Sequence, residues 1–290
     1  MANLGINMNM TQTQADAKSK SGSIGRILLE AGKIKAEDAD RILQTQKEFD
    51  LRFGDAALKL KLVTEDDILR AVSQQFHYAS LPVDSDLIDA EVVAAFRSHG
   101  NEIEELRTLR SQLALRWFSG NKALVVSSPT AGQGATYVSA NLAVLFSQLG
   151  EKTLLIDADM RTPRIHSLFK LANKQGLSDM LASRAGVEAI HTIEAFDGLS
   201  VLTAGTSTPN PLELLSQHQF WSEIEKNFDV IIIDTPPALE SADAQSIVGK
   251  VGGALVVVRN NESRLVDIEN MKSQFSIAGA DVVGAVVNDF

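Results

Sequence analysis

Cysteine is missing altogether from the 290 residues, so no disulfide, thiolate metal site or thiol nucleophile is available. Histidine is sparse, and His77, His99, His166, His191 and His218 show no pairing at metal-ligand spacing. Positive charge is in deficit. The net charge of −10 has the wrong sign for a chain that mainly coats nucleic acid, where basic surface supplies most of the affinity, so no nucleic-acid partner is expected. No apolar run approaches the ~20 residues that span a bilayer. The polar first 20 residues also lack the apolar core of a secretory signal. A cytoplasmic location is expected.

What remains is an ordinary globular composition, 44% hydrophobic. Met1–Lys20 is rich in Asn, Gln, Thr and Ala; it offers too little apolar surface to offset its ordering entropy and reads as disordered. Residues 21–80 contain a tandem repeat. Ser23–Gln46 and Arg52–Gln75 are each 24 residues long and are separated by the five residues Lys47–Leu51. Gly25 matches Gly54, Leu29 matches Leu58, Ile34 matches Val63 and Gln46 matches Gln75. Each copy reads as a short helix, a turn and a second helix, with Thr64 as an N-cap and acids in the first turn. On its own such a four-helix module need be no more than a spacer or docking surface.

Leu81–Gly100, with Pro82, Asp84-Ser-Asp86 and one short helical stretch around Ala90–Phe96, reads as a linker. From Asn101 helices alternate with apolar strands, the pattern of a doubly wound, mostly parallel α/β sheet. The predicted strands are Ala123–Ser127, Thr153–Ile156, Ser200–Thr203, Val230–Ile233, Ala254–Val258 and Val282–Val287. Several are unbroken runs of Val, Leu and Ile, as strands covered on both faces require.

The first of these strands runs through Ser128-Pro-Thr-Ala-Gly-Gln-Gly-Ala-Thr-Tyr137 into an amphipathic helix predicted over Val138–Leu149. A glycine-bearing turn between a buried strand and a helix aims several backbone N–H groups at one point, where the helix dipole also favours an anion. Gly132 and Gly134 permit close approach, and Thr136 stands where a hydroxyl would ligate Mg²⁺. The loop departs from a standard phosphate loop at Pro129, in place of the first Gly, and at Ala135, in place of the Lys. Two more strand ends strengthen the reading: Asp157 and Asp159 in Leu154-Leu-Ile-Asp-Ala-Asp-Met-Arg161, and Asp234 in Val230-Ile-Ile-Ile-Asp-Thr-Pro-Pro237. Ligands of open α/β sheets lie beyond the carboxyl ends of the strands, so these segments are expected to converge. Mg²⁺ takes one or two such carboxylates together with phosphate oxygens and waters.

These three segments resemble the Walker-type motifs of the bacterial tyrosine kinases (BY-kinases), in particular the chain-length-determinant type encoded with exopolysaccharide machinery. Glu104-Glu-Leu-Arg-Thr-Leu-Arg-Ser-Gln-Leu113 resembles the family's ExxRxLR helix, and Pro209-Asn-Pro-Leu-Glu-Leu-Leu215 resembles its NPxELL segment. The likeness covers roughly 101–290, the expected P-loop domain. The related ParA/MinD ATPases carry a signature Lys near the loop's start; here Thr130 takes that place. The resemblance implies an ATP/ADP and Mg²⁺ site with Thr130, Ala131, Gly132, Gln133, Gly134, Ala135, Thr136, Tyr137 and Asn288 at the nucleotide, Asn288 touching the base. Thr136, Asp159 and Asp234 would hold the metal. Asp157 would orient or deprotonate a tyrosine hydroxyl, and Arg161 would neutralise charge or pair with a neighbouring carboxylate. It also implies a homo-oligomer built through Glu104–Leu113, and docking on the cytoplasmic tail of a membrane chain-length regulator, hence a place at the inner membrane.

Ala135 weakens that picture. Phosphoryl transfer rests on positioning and charge stabilisation, to which the loop Lys contributes much. Losing one such donor commonly costs on the order of 10²–10³ in rate. Ala135 therefore marks either a low-activity, binding-only member or an inactivating replacement. Tyrosine is scarce too: only Tyr78 and Tyr137 occur, so a phosphorylated tyrosine-rich tail is not expected. The alternative is a non-catalytic nucleotide-dependent switch or scaffold. The N-terminal repeat is similar to N-terminal domains of type II secretion and pilus ATPases, some of which bind cyclic di-GMP through paired 24-residue motifs. Ser23 and Lys61 depart from that motif, whereas Arg26 and Arg52 could meet phosphates.

Overall fold

The computed structural model describes residues 24–289 apart from 66, 69–70 and 73–79. The stretch expected to be disordered, together with Ser23, Gln75 and Tyr78, lies outside the described residues. The chain forms two compact units, Met1–Ser80 and Leu81–Phe290.

In the first unit, α1 (Ile24–Glu30), α2 (Ala36–Phe49) and α3 (Phe53–Lys59) surround a core of Ile27, Leu28, Ile34, Ile42, Ala56, Ala57 and Val63. The repeat is visible in its turns. At the start of α2 the Lys35 N–H donates to the Asp38 carboxylate at 3.0 Å. In the second copy the Thr64 N–H donates to Asp67 at 3.0 Å, and the Asp67 N–H donates back to Thr64 Oγ1 at 3.2 Å, a reciprocal cap. Gly32 and its repeat partner Lys61 both take left-handed backbone, at φ 65° and 54°. That conformation suits glycine and strains lysine.

The second unit is a seven-stranded sheet between two helical layers. The strands are β1 (Ala123–Ser127), β2 (Thr153–Asp157), β3 (Ile190–Thr192), β4 (Leu199–Leu202), β5 (Val230–Asp234), β6 (Gly253–Arg259) and β7 (Asp281–Asn288), in the order β3-β4-β2-β5-β1-β6-β7. All neighbours run parallel except β3, which pairs antiparallel with β4. The six predicted strands are present with ends shifted by a residue or so. Only β3 was not expected, and its three residues Ile-His-Thr carry too little apolar pattern to announce a strand.

One face of the sheet packs against α4 (Val93–Phe96), α5 (Asn101–Arg116) and α6 (Ala135–Ser147). The other packs against α7 (Pro211–Leu215), α8 (Asp243–Val251) and α9 (Leu265–Ile277). Helix α6 is buried on nearly every side, Ser139 and Asn141 included, as a helix roofed by a further layer must be. It begins at Ala135 rather than at the expected Val138, because Gly134 in left-handed backbone (φ 94°) turns the chain straight into it.

The segment 81–100 is not a linker. Ile88, Val92, Ala94 and Ala95 are at most 3% exposed and belong to the core under α6. The Leu81 N–H donates to the Ala95 carbonyl and the Asp89 N–H to the Leu168 carbonyl, both at 2.7 Å. Asn141 on α6 stitches the segment down, its Oδ1 accepting from the Ala94 N–H at 2.8 Å and its Nδ2 donating to the Glu91 carbonyl at 3.2 Å. Pro82 and the acidic residues suggested a tether. The short apolar run Val92–Phe96 decided otherwise.

Candidate nucleotide site

Strands β1, β2 and β5 end side by side, with Val126 opposite Asp234 and Asp157 opposite Asp234 in register. Beyond these ends the 128–136 loop leads into α6. Gly132 and Gly134 adopt φ 78° and 94°, left-handed conformations that turn successive amides inward. The backbone N–H groups of residues 132–136 form no hydrogen bond to another described residue. They lie at or just before the N-terminus of α6, where the dipole adds to their pull on an anion. The next amide outward, that of Ala131, donates to Glu240 Oε1 at 3.0 Å.

A cavity of about 810 Å³ opens over this loop. Its walls include Ala131 to Tyr137 from the loop and α6, Asp159, Thr162 and Arg164 from the turn after β2, and Glu91 and Glu102 from the 81–116 region. That volume lies within the usual range for small-molecule sites.

The loop is braced from behind. Buried Gln133 uses its Nε2 to donate to Thr130 Oγ1, accepts from Ser263 Oγ at 2.9 Å, and offers its carbonyl to Asn288 Nδ2 at 3.1 Å. Asn288, expected at the base of a nucleotide, therefore braces the loop and does not line the cavity. Thr130 likewise faces Gln133 and lies outside the cavity wall.

The acids behave differently from one another. Asp157 is fully buried, accepting the N–H groups of Asp159 (3.2 Å), Arg164 (3.2 Å) and Ile165 (3.0 Å). It ties the turn after β2 together, so it is not an exposed base awaiting a hydroxyl. Burial pushes its carboxyl well above the ordinary range, and the nearby Asp234 and Asp159 charges add to the effect. Asp234, 1% exposed, is pushed up to about 7, chiefly by burial, although bonds from Thr136 and Ser139 work against it. The Ser139 hydroxyl donates to it at 3.0 Å. Asp159 reaches the cavity and accepts from the Thr162 N–H and hydroxyl, each at 2.8 Å. Among the described residues no three His, Cys, Asp or Glu side chains form a metal-holding group. The donors nevertheless suit Mg²⁺: a hydroxyl and a carboxylate at the cavity wall, a second carboxylate behind, and free amides for the phosphates that would complete its shell.

Arg161 turns away from the cavity. Its guanidinium grips buried Asp243 of α8 through Nε at 2.7 Å and Nη2 at 3.3 Å, which anchors the turn to the opposite layer. Three charged residues at the cavity were not anticipated from the sequence. Glu91 lay in the supposed linker. Glu102 pairs with Arg97 at 2.6 Å and accepts the Tyr137 hydroxyl at 2.7 Å. Arg164 bonds Glu91. The cationic signal of Arg164 was present, overshadowed by Arg161 three positions earlier. Burial and the bond to Glu102 push the Tyr137 phenol above its ordinary value.

Residues 120–289 match the ParA family model, described as NUBPL iron-transfer P-loop NTPase. The chain is 32% identical over 201 residues to the tyrosine-protein kinase YwqD of Bacillus subtilis, covering 68% of this chain and 85% of that one. It spans 26–30% of the length of longer tyrosine-protein kinases that it also matches. The crystal structure of the chimerical protein CapA2B2 superposes with a TM-score of 0.65 at 30% identity, covering 78% of this chain and 98% of that one. The septum site-determining protein MinD of Pyrococcus horikoshii, solved with Mg-ADP, superposes with a TM-score of 0.50 at 25% identity over 58% of this chain and 70% of that one. With the phosphate loop, the Asp157/Asp159 turn and the Asp234 strand end brought to one rim, the chain belongs to the bacterial tyrosine kinase family of P-loop ATPases.

Proposed function

We propose that this chain binds ATP and ADP with Mg²⁺ in the 810 Å³ cavity and serves, as a BY-kinase-type protein, in controlling the chain length or export of an exopolysaccharide. The observation that carries the reading is the row of five amides at the start of α6 that bond to no other described residue, beside Thr136 and Asp159. The amides of 132–136 would hold the phosphates, and Thr136 and Asp159 would hold the metal, with Asp234 orienting Thr136 from behind. Bound Mg²⁺ would supply charge neutralisation on the phosphates. Asp157 could act on a tyrosine hydroxyl only after releasing backbone bonds that it now makes, so its first role is to hold the turn that carries Asp159.

Ala135 supplies no charge, and phosphotransfer is therefore expected to be weak while binding persists through the backbone. This favours the second reading, a nucleotide-dependent switch or scaffold, over a fully active kinase. The exposed Glu104, Glu105, Thr108, Ser111 and Gln112 on α5 suit contact with a second copy, and the likeness to CapA2B2 supports docking on a membrane regulator's tail. No described helix is long and apolar enough to cross a membrane. A cyclic di-GMP role for the first unit rests on its repeat spacing alone.

Isothermal titration with ADP and Mg²⁺ tests binding; an absence of metal-dependent heat would end the nucleotide reading. Incubating the protein and an Ala135→Lys variant with labelled ATP and a regulator tail tests transfer. We expect phosphotyrosine to rise on the order of 10²-fold in the variant. Equal signals from both would show that Ala135 is not what limits transfer.

A further inference from the structure

A polyphosphate carries several negative charges, and Ala135 leaves its loop without a side-chain cation. The cavity wall is otherwise acidic, with Glu91, Glu102 and Asp159. Among the described residues lining it, Arg164 is the one Arg or Lys. We infer that Arg164 is the phosphate-binding cation of this chain, standing in for the absent loop lysine, and that Glu91 is the latch that holds it until nucleotide enters. The inference rests on the nucleotide reading above and names a binding residue that the loop motif does not contain.

Four observations carry it. Arg164 is placed with accuracy at its backbone, because its N–H donates to buried Asp157 at 3.2 Å, so its Cα belongs to the same turn as Asp159. Its side chain, by contrast, is 54% exposed and held at one point only. Nη2 bonds both Glu91 oxygens, at 2.8 and 3.0 Å, while Nε and Nη1 form no bond to another described residue. Glu91 is 49% exposed, and an ion pair between two such side chains contributes little and breaks readily. Finally, Arg164 lines the same cavity as Thr136 and the 131–135 loop that precedes it. A guanidinium matches phosphate oxygens in a fork that a carboxylate partner occupies only until a more highly charged one arrives.

Arg161, the cation that the motif itself offers, is committed to buried Asp243, and Arg97, whose pair with Glu102 is equally exposed, does not line the cavity. Arg164 alone combines a fixed backbone, a weakly held head and a place at the cavity.

The test is a calorimetric double-variant cycle on the full chain, titrating ADP at fixed Mg²⁺. Arg164→Gln should weaken binding about tenfold, the worth of one charge-assisted contact. Glu91→Gln should tighten it severalfold by freeing the guanidinium. Removing an acid would also help an anion by simple electrostatics, so the double variant decides: with Arg164 already gone, the gain from Glu91→Gln should largely vanish. In an Ala135→Lys background, Arg164→Gln should cost less than in the parent. Binding by Arg164→Gln within twofold of the parent would overturn the inference, as would parallel weakening by both single variants, the mark of a merely structural pair. An undiminished gain in the double variant would overturn the latch. Failure of the parent to take up ADP at all would remove the nucleotide reading itself, an outcome distinct from the others.

Discussion

Replacing Asn141 by leucine tests whether the 81–100 segment is part of the P-loop unit or merely rests on it. The side chain is fully buried. It accepts the Ala94 N–H at 2.8 Å and donates to the carbonyls of Glu91 (3.2 Å) and Tyr137 (2.9 Å). Leucine has similar volume and offers neither function, so the substitution isolates the polar contribution from a cavity effect. Ala94 is itself fully buried, and its N–H would be left without a partner, at a cost of about 1–3 kcal/mol. Loss of the bond to the Glu91 carbonyl adds about 1 kcal/mol; the Tyr137 carbonyl retains its helical environment and adds little. The expected loss is about 3 kcal/mol, which in a unit of roughly 200 residues lowers Tm by about 6–12 °C. Calorimetric melting measures the loss, and hydrogen exchange of the Ala94 amide should accelerate more than that of β2 amides. A fall in Tm below about 2 °C, with Ala94 still protected, would mean that the segment is held by its apolar contacts and that the Asn141 bonds are incidental.

Two further outcomes follow from groups held at a cost. Asp234 keeps its proton in the folded chain up to about pH 7, while its unfolded counterpart ionises near 3.8, so the native state binds more protons in between. Its contribution to stability is fully present below about pH 4 and is lost as pH rises through about 7; metal-free melts should fall in Tm from pH 5 to 7, and a flat or rising profile would contradict this. In the first unit, Lys61→Gly relieves left-handed strain worth about 1–2 kcal/mol, partly offset by the freer unfolded chain. Exchange of α2 amides in urea should slow, and unchanged or faster exchange would mean that Lys61 pays no penalty there.

The sheet was legible because its strands are continuous Val, Leu and Ile runs bounded by turn residues, a signal that survives without neighbours. The placement of Asp157, Asp159 and Asp234 was legible for the same reason: they follow or end runs whose place in the sheet is forced. What escaped was long-range partnership. Nothing local in Glu91 reveals that Asn141, 50 positions away, will draw its carbonyl onto α6. Likewise Asn288 sits at a strand tip, as expected, but only packing shows that it meets the Gln133 carbonyl. Arg161 and Arg164 are indistinguishable as sequence letters; buried Asp243 across the sheet claims one and leaves the other at the cavity.

The division of labour between backbone and side chain explains how such a site tolerates alanine at 135. Ala135 is 9% exposed at the first position of α6, where its methyl suits the helix and the core. The amides that would hold phosphate are aimed by Gly132 and Gly134 and braced through Gln133, all independent of residue 135. The loop's geometry therefore needs no charge at position 135. The acids lack this separation, because Asp157 both carries charge and holds the turn together. Asp157→Asn would replace one acceptor of the three amide bonds with a donor and loosen the turn bearing Asp159, so a loss of phosphotransfer in that variant would not establish a catalytic role. Positions 135 and 164 change the charge over the phosphate loop without touching the bonds that shape it, and the chemistry of the site is best read from them.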